Sequence, residues 1–143
     1  MAAVSAAAIR LAVATRLDAL SGLRLSEAPY EGIRAVTRSP VHLEFAVGVP
    51  VTEPLSDGRQ RIANGCEART ELRVVVAWKL ADKDRPTDSD TALATEAAIR
   101  NDMLARWYDS ASFRWERSER QAGIDGWLWL EQTFTATHTL PLS

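Results

Sequence analysis

The chain has 143 residues, 46% hydrophobic and 25% charged, with a formal net charge of -2 and a pI near 5.7. That length suits one hydrophobic core, and the composition excludes a wholly disordered or collagen-like chain. The near-neutral balance leaves no global attraction to phosphate backbones or anionic lipid, which excludes a general nucleic-acid binder.

From Ala2 to Leu20 the chain is rich in Ala, Leu and Arg, and Ile9, Val13, Leu17 and Leu20 recur at helical spacing. This predicts an amphipathic helix that stops at Ser21-Gly22, where glycine can take the left-handed conformation. Leu23 to Pro40 carries Pro29, Gly32 and Pro40 without a sustained period and reads as an irregular crossing segment. Val41, Leu43, Phe45, Val47 and Val49 then alternate with His42, Glu44, Ala46 and Gly48, the period of two that gives a strand one buried face.

A second strand follows through Thr70, Leu72, Val74, Val76, Trp78 and Leu80, with Glu71, Arg73 and Lys79 on its other face. Between the two strands the segment Pro50 to Glu67 is too long for a tight hairpin. It is expected to form a long polar loop, with a turn at Asp57-Gly58. Asp82, Asp84 and Pro86 break the second strand, and Thr87 with Asp90 resembles a capping box that starts a helix near Asp88 and runs to about Tyr108. Ala92, Ile99, Met103 and Trp107 form its apolar stripe, joined by Leu93, Ala97 and Leu104, while Arg100, Asp102 and Arg106 are expected to point away.

The last third reads as a second hairpin: Phe113 and Trp115 in a short strand, a loop through Gly123, Asp125 and Gly126, and a long strand from Trp127 to Leu140. Leu128, Leu130, Phe134, Ala136 and Leu140 share one face of that strand. Trp127, Trp129, Glu131 and Thr133, Thr135, Thr137 and Thr139 share the other. The predicted fold is one α+β domain over residues 1–143, in the order α-β-β-α-β-β. Its small, mostly antiparallel sheet of about four strands in two hairpins packs against two helices.

Few residues here arrange themselves for chemistry. Asp82, Asp84, Asp88 and Asp90 cluster, but counting from Asp82 a calcium loop needs glycine where Thr87 stands and glutamate where Leu93 stands. The cluster is better read as solubilising charge at a helix N-terminus. His42 and His138 lie without a neighbouring nucleophile motif, and Cys66, between Gly65 and Glu67, has no cause for a lowered pKa. No glycine-rich phosphate loop is present. As the sole cysteine, Cys66 can form neither an intrachain disulfide nor a Cys-based zinc cage, and no long apolar leader opens the chain, so a reducing, cytosolic setting is expected. No catalytic, cofactor-binding or metal-ligating residue is assigned, and the expectation is a protein that is not an enzyme.

Tryptophan is the informative residue, with five in a small domain. Its ring favours cores and interface hot spots. Trp127 and Trp129 lie opposite Leu128 and Leu130, so one face can meet the helices and the other either a neighbouring molecule or further loops of the same chain. Arg59 and Arg61, at the polar loop, are local cationic sites. On these exposure arguments Arg59, Arg61, Trp127 and Trp129 are the candidate subunit or partner contacts.

The opening helix Ile9 to Leu20, the strand Arg69 to Leu80, the Asp-rich lead-in to helix Ala92 to Tyr108 and the closing strand Trp127 to Leu140 together resemble the tail terminator proteins of long-tailed bacteriophages and gene transfer agents, including the lambda-type terminator. The resemblance spans most of the chain and rests on order and pattern, with no diagnostic motif. It implies a structural virion protein that is assembled in the host cytoplasm and forms a hexameric ring at the head-proximal end of the tail tube. There it would stop tube polymerisation and join the tail to head completion or neck proteins. Its implied partners are itself, the tail tube protein and a head completion or neck protein, without membrane or specific nucleic-acid sequence. The loop from Pro50 to Glu67 would order on ring or tube contact. Two other readings stand beside it: another neck or tail-completion protein of the same virion, and a small-molecule-binding α+β cone with a tryptophan-lined apolar pocket.

Overall fold

The computed structural model describes residues 3–20, 22–25, 41–55, 61–62, 65–79, 85–105, 107–108, 111–122 and 126–141. Among the described residues two helices, α1 (Ala6–Asp18) and α2 (Arg85–Ala105), accompany eight strands: β1 (Arg24–Leu25), β2 (Glu44–Val47), β3 (Val51–Pro54), β4 (Arg61–Ile62), β5 (Gly65–Lys79), β6 (Trp107–Tyr108), β7 (Ala111–Ala122) and β8 (Trp127–Pro141). The α+β class holds, but the sheet is larger than expected and it is mixed. Its main path of six strands runs β1-β2-β5-β8-β7-β6, and β3 and β4 also pair with β5. β1 lies parallel to β2 and every other pairing is antiparallel. The four predicted strands survive as β2, β5, β7 and β8. The added ones are two to four residues long, too short to show a period of two, and depend on a neighbour for their backbone partners.

The sheet is organised by β5 and β8, which pair over their full fifteen residues from Gly65↔Pro141 to Lys79↔Trp127. β7 pairs with β8 from Ser112↔Thr137 to Ala122↔Leu128 and carries a bulge between Trp115 and Arg117. That extra residue reverses which side chains of β7 face the helices after the bulge.

The strand predicted from Val41 to Val49 is cut to four residues, all buried. At its start Leu43 has a positive φ of 65°, held there by a bond from its N–H to Ala77 O (2.8 Å) and by Arg24 N–H donating to its carbonyl (3.0 Å). A left-handed leucine cannot continue a strand, and fixing it there costs roughly 1–2 kcal/mol that the surrounding bonds offset. After Gly48 the chain resumes as β3 on the same partner, Val51↔Glu71 to Pro54↔Ala68. Most of the described residues of the expected long loop from Pro50 to Glu67 are therefore paired with β5 or belong to it, with β4 paired to the start of β5. The predicted turn at Asp57-Gly58 lies outside the described residues, as does 26–40 of the crossing segment.

α1 begins at Ser5, whose hydroxyl accepts from Ala8 N–H at 3.1 Å. It buries Ile9, Val13 and Leu17, as its spacing predicts, together with Ala14, while Leu20 of the predicted stripe lies past its end and is only partly buried. Beyond its end Gly22 has φ +88°, where a side chain would be strained, and a Cβ would meet Leu43 at 3.3 Å. Asp18 then accepts from Leu25 N–H at 3.0 Å and ties the helix end to β1.

α2 starts one turn earlier than expected, with Pro86 in the first turn where its missing N–H is no loss. It stops at Ala105, so Trp107 belongs to β6. Asp102, expected to point away, instead pairs with Arg16 of α1 at 3.1 Å and joins the two helices.

Both helices lie on one face of the sheet over a single core of Ile9, Leu17, Phe45, Leu72, Val74, Val76, Ile99, Met103, Leu130 and Phe134. Among the described residues no helix is long and apolar enough to cross a membrane.

Candidate interaction surfaces

The face of the sheet away from the helices has two unlike parts. At one end Ala46, Val75, Ala77 and Trp129 form a small second cluster, with Trp127 packed against it. Trp129 retains only 8% of its exposure. Its burial within the chain removes the exposure argument for Trp129 as a partner contact, and Trp127 is only partly accessible. The alternation placed both rings on the correct face, but alternation cannot tell an open face from one the chain covers itself. Arg61 lies in β4, described by its backbone alone, and Arg59 lies outside the described residues.

The other part is a shallow polar groove of about 300 Å³ lined by Val51 and Glu53 of β3, Arg69 and Glu71 of β5, Glu116 and Arg117 of β7, and Thr133 and Thr135 of β8. Side chains of one strand pair repeat every two residues on this face, which brings charges of both signs together. Arg69 pairs with Glu53 at 3.1 Å and Arg117 with Glu119 at 3.1 Å; Arg73 lies 3.9 Å from both Glu71 and Glu131. Thr135 donates to Glu116 at 2.7 Å and the Thr133 hydroxyl is buried without a hydrogen-bond partner, whereas the Thr52 and Thr70 hydroxyls, which meet at 2.9 Å, lie on the opposite, helix-facing side of β3 and β5. The groove is self-neutralised: it has neither the uncompensated charge of an anion site nor the apolar walls of a ligand pocket. No family model matches the chain, and no curated protein sequence matches it. What these surfaces do must be read from their own chemistry.

The histidines are placed structurally. His42 accepts from Lys79 N–H at 3.0 Å and sets its ring edge-on against Trp78, with centroids 4.7 Å apart. His138 is buried in the core face of β8, with Nδ1 3.0 Å from Val4 O and Nε2 2.6 Å from Thr70 Oγ1. A carbonyl only accepts, so Nδ1 carries the proton and Nε2 accepts from Thr70, which in turn accepts from Thr52. Burial pushes the His138 pKa below its ordinary value, against the upward pull of backbone bonds with Val4 and Thr139. Cys66 is half-buried where β4 meets β5. Of the acidic cluster, Asp90 is exposed, while Asp82 and Asp84 lie outside the described residues and Asp88 is described by its backbone alone.

Two buried polar contacts escaped the sequence. Glu96 sits in the apolar stripe of α2 and is held from β7 by Arg120, Nε to Oε1 at 3.1 Å and Nη2 to Oε2 at 3.3 Å. Its backbone carbonyl accepts from Gln132 of β8 at 3.0 Å. Arg120 is thus the anchor of α2 on the sheet. Arg10 likewise turns inward, donating to Val47 O at 2.9 Å. The one available signal was a glutamate at a core position of the α2 stripe, which demands a cation from elsewhere.

Proposed function

We propose that the chain is a ring-forming structural subunit of tail-terminator type, one of six around the head-proximal end of a tail tube. It stops tube growth there and offers the surface that head completion or neck proteins join. The observation that best supports this reading is the two-faced build of the domain. Helices and sheet close on a filled core, while Leu11, Val49, Leu93, Leu104 and Trp115 stay exposed outside it, apolar surface of the kind that meets protein. The pocket reading is the weaker one, because Phe45, Leu72, Met103 and Phe134 fill the space between helices and sheet, and the apolar depression of about 400 Å³ beside α2, lined by Leu20, Leu23, Leu43 and Ile99, has no tryptophan among the described residues of its walls.

Light scattering of the purified chain across a concentration series, followed by negative-stain imaging, tests the proposal. The expected result is a closed ring of six times the single-chain mass, formed alone at high concentration or on added tail tubes. A strict monomer or dimer whose tryptophan fluorescence responds to small apolar ligands would overturn it in favour of the pocket.

A further inference from the structure

Among the described residues β7 pairs with β8 along one side, but on its other side β6 reaches only Ala111 and Ser112. From Phe113 to Ala122 the backbone N–H and C=O of every second residue therefore point away from the sheet, the arrangement on which an extended chain docks. This stretch carries exposed charges in a set order, Arg114, Glu116, Arg117 and Glu119. Their spacing is symmetric, and in reverse the order is the same with every sign inverted. Arg120, the remaining charge of the stretch, faces the helices and is held by Glu96.

We propose that two copies of this chain pair through β7, antiparallel and about a two-fold axis at the bulge, so that the sheet of one continues into the sheet of the other. In that register Arg114 lies opposite the partner's Glu119, and Glu116 lies opposite the partner's Arg117. Each pair occurs twice, so all four charges of each copy meet the opposite sign. A register one residue to either side sets Arg117 or Glu116 against itself, and like charges directly opposite one another repel. The bulge makes the match possible. Arg114 and Glu119 are five residues apart and in a regular strand would lie on opposite faces. With the extra residue between Trp115 and Arg117, their neighbours on β8 are Thr135 and Glu131, four residues apart, so both side chains leave the sheet on the face away from the helices. A two-fold axis through the sheet sets like face beside like face, and there the two can meet.

Charges and a bulge on an edge strand ordinarily keep other chains from pairing with it. Here the order of the charges exempts one partner, another copy of the same strand. Within one chain Arg114 lies 3.9 Å from Glu116 and stays 85% exposed, whereas Arg117 and Glu119 meet at 3.1 Å and remain about half exposed. Exposed groups of this kind can take a second partner of opposite sign across the strand pair, which turns isolated pairs into a network. A contact of one strand pair is at the small end of interface sizes, so it forms with rising concentration and weakens with salt. The pairing is independent of the ring reading, because a two-fold contact is complete with two copies and a ring must close through other surfaces.

Charge reversal, read by sedimentation equilibrium across a concentration series, tests the pairing. Wild type should pass from one chain mass to two, less readily at high salt. Arg114→Glu and Glu119→Arg, each checked for folding by circular dichroism, set like charges opposite one another twice and should each raise the dissociation constant by more than about tenfold. Mixed one-to-one they should recover the dimer, because each altered charge then meets its opposite on the other chain. The double variant should pair as well. Within one chain it places like charges beside Glu116 and Arg117, so its recovery cannot come from repaired pairs inside the chain. A wild type that stays monomeric at every concentration overturns the pairing, as does a dimer that both single variants leave intact or one that their mixture fails to restore. Rings of six formed alike by wild type and both variants, with no smaller pair, keep the ring reading and overturn the pairing. A dimer that the variants break and the mixture restores, with no ring on added tail tubes, keeps the pairing and removes the ring.

Discussion

His138 shows how a side chain without chemistry can still make the protein sensitive to pH. Its neutral form completes a hydrogen-bonded line from Val4 through Thr70 to Thr52, linking the N-terminal segment, β8, β5 and β3. Because burial lowers its folded-state pKa, the folded state binds this proton less readily than the unfolded chain does. Its contribution is complete above the ordinary value of 6.5 and is lost as pH falls toward the lowered folded pKa. Stability should decline between pH 7 and pH 5.5 by up to about 1.4 kcal/mol per pH unit, and His138→Gln should flatten the wild-type slope over that window in urea titrations. Arg120→Met should cost about 2 kcal/mol by leaving the Glu96 carboxylate buried without its cation, and adding Glu96→Gln should recover part of that loss. Trp129→Ala should destabilise the single chain by about 3 kcal/mol in the same assay, as expected of a ring inside the chain. A Trp129→Ala variant that unfolds like wild type but assembles poorly would reinstate it as a contact.

At the scale of elements, the long β5–β8 pairing holds the molecule together and the helices depend on it. Phe134 is fully buried on β8 and meets Phe113 edge-on, with centroids 6.4 Å apart. Its replacement by alanine should cost about 4 kcal/mol, a large share of the stability of a domain this size, and should broaden or abolish the cooperative urea transition. The long periodic elements α1, β5 and β8 were legible because each buries one face over many residues. Their period is carried by Ile9, Val13 and Leu17, by Leu72, Val74 and Val76, and by Leu130, Phe134 and Ala136. The start of β2 was not legible, because Leu43 keeps the apolar alternation while its backbone leaves the strand. β3 was missed because its four residues are all exposed and show no alternation.

For the whole molecule, the question is which outward surfaces meet other proteins. The polar groove beneath the sheet satisfies its own charges, so single substitutions of its exposed pairs, such as Glu53→Gln, should alter stability by less than about 1 kcal/mol. On the helices Leu11, Leu93 and Leu104 are exposed, so their replacement by serine should likewise alter stability by less than about 1 kcal/mol while any loss of assembled mass would mark them as contacts. Light scattering and urea titration of the same variants separate the two classes.

The sequence by itself determined the α+β class, the two helices, the four principal strands and the side of β8 on which each residue lies. Spacing encodes which face is apolar, and burial enforces it within one element. Only the tertiary structure decided that Trp129 is covered, that Arg120 reaches Glu96 across 24 residues, and that Asp102 meets Arg16 of the other helix. Each of these depends on which elements become neighbours. That outcome follows from strand order and a one-residue bulge, and local periodicity does not contain it.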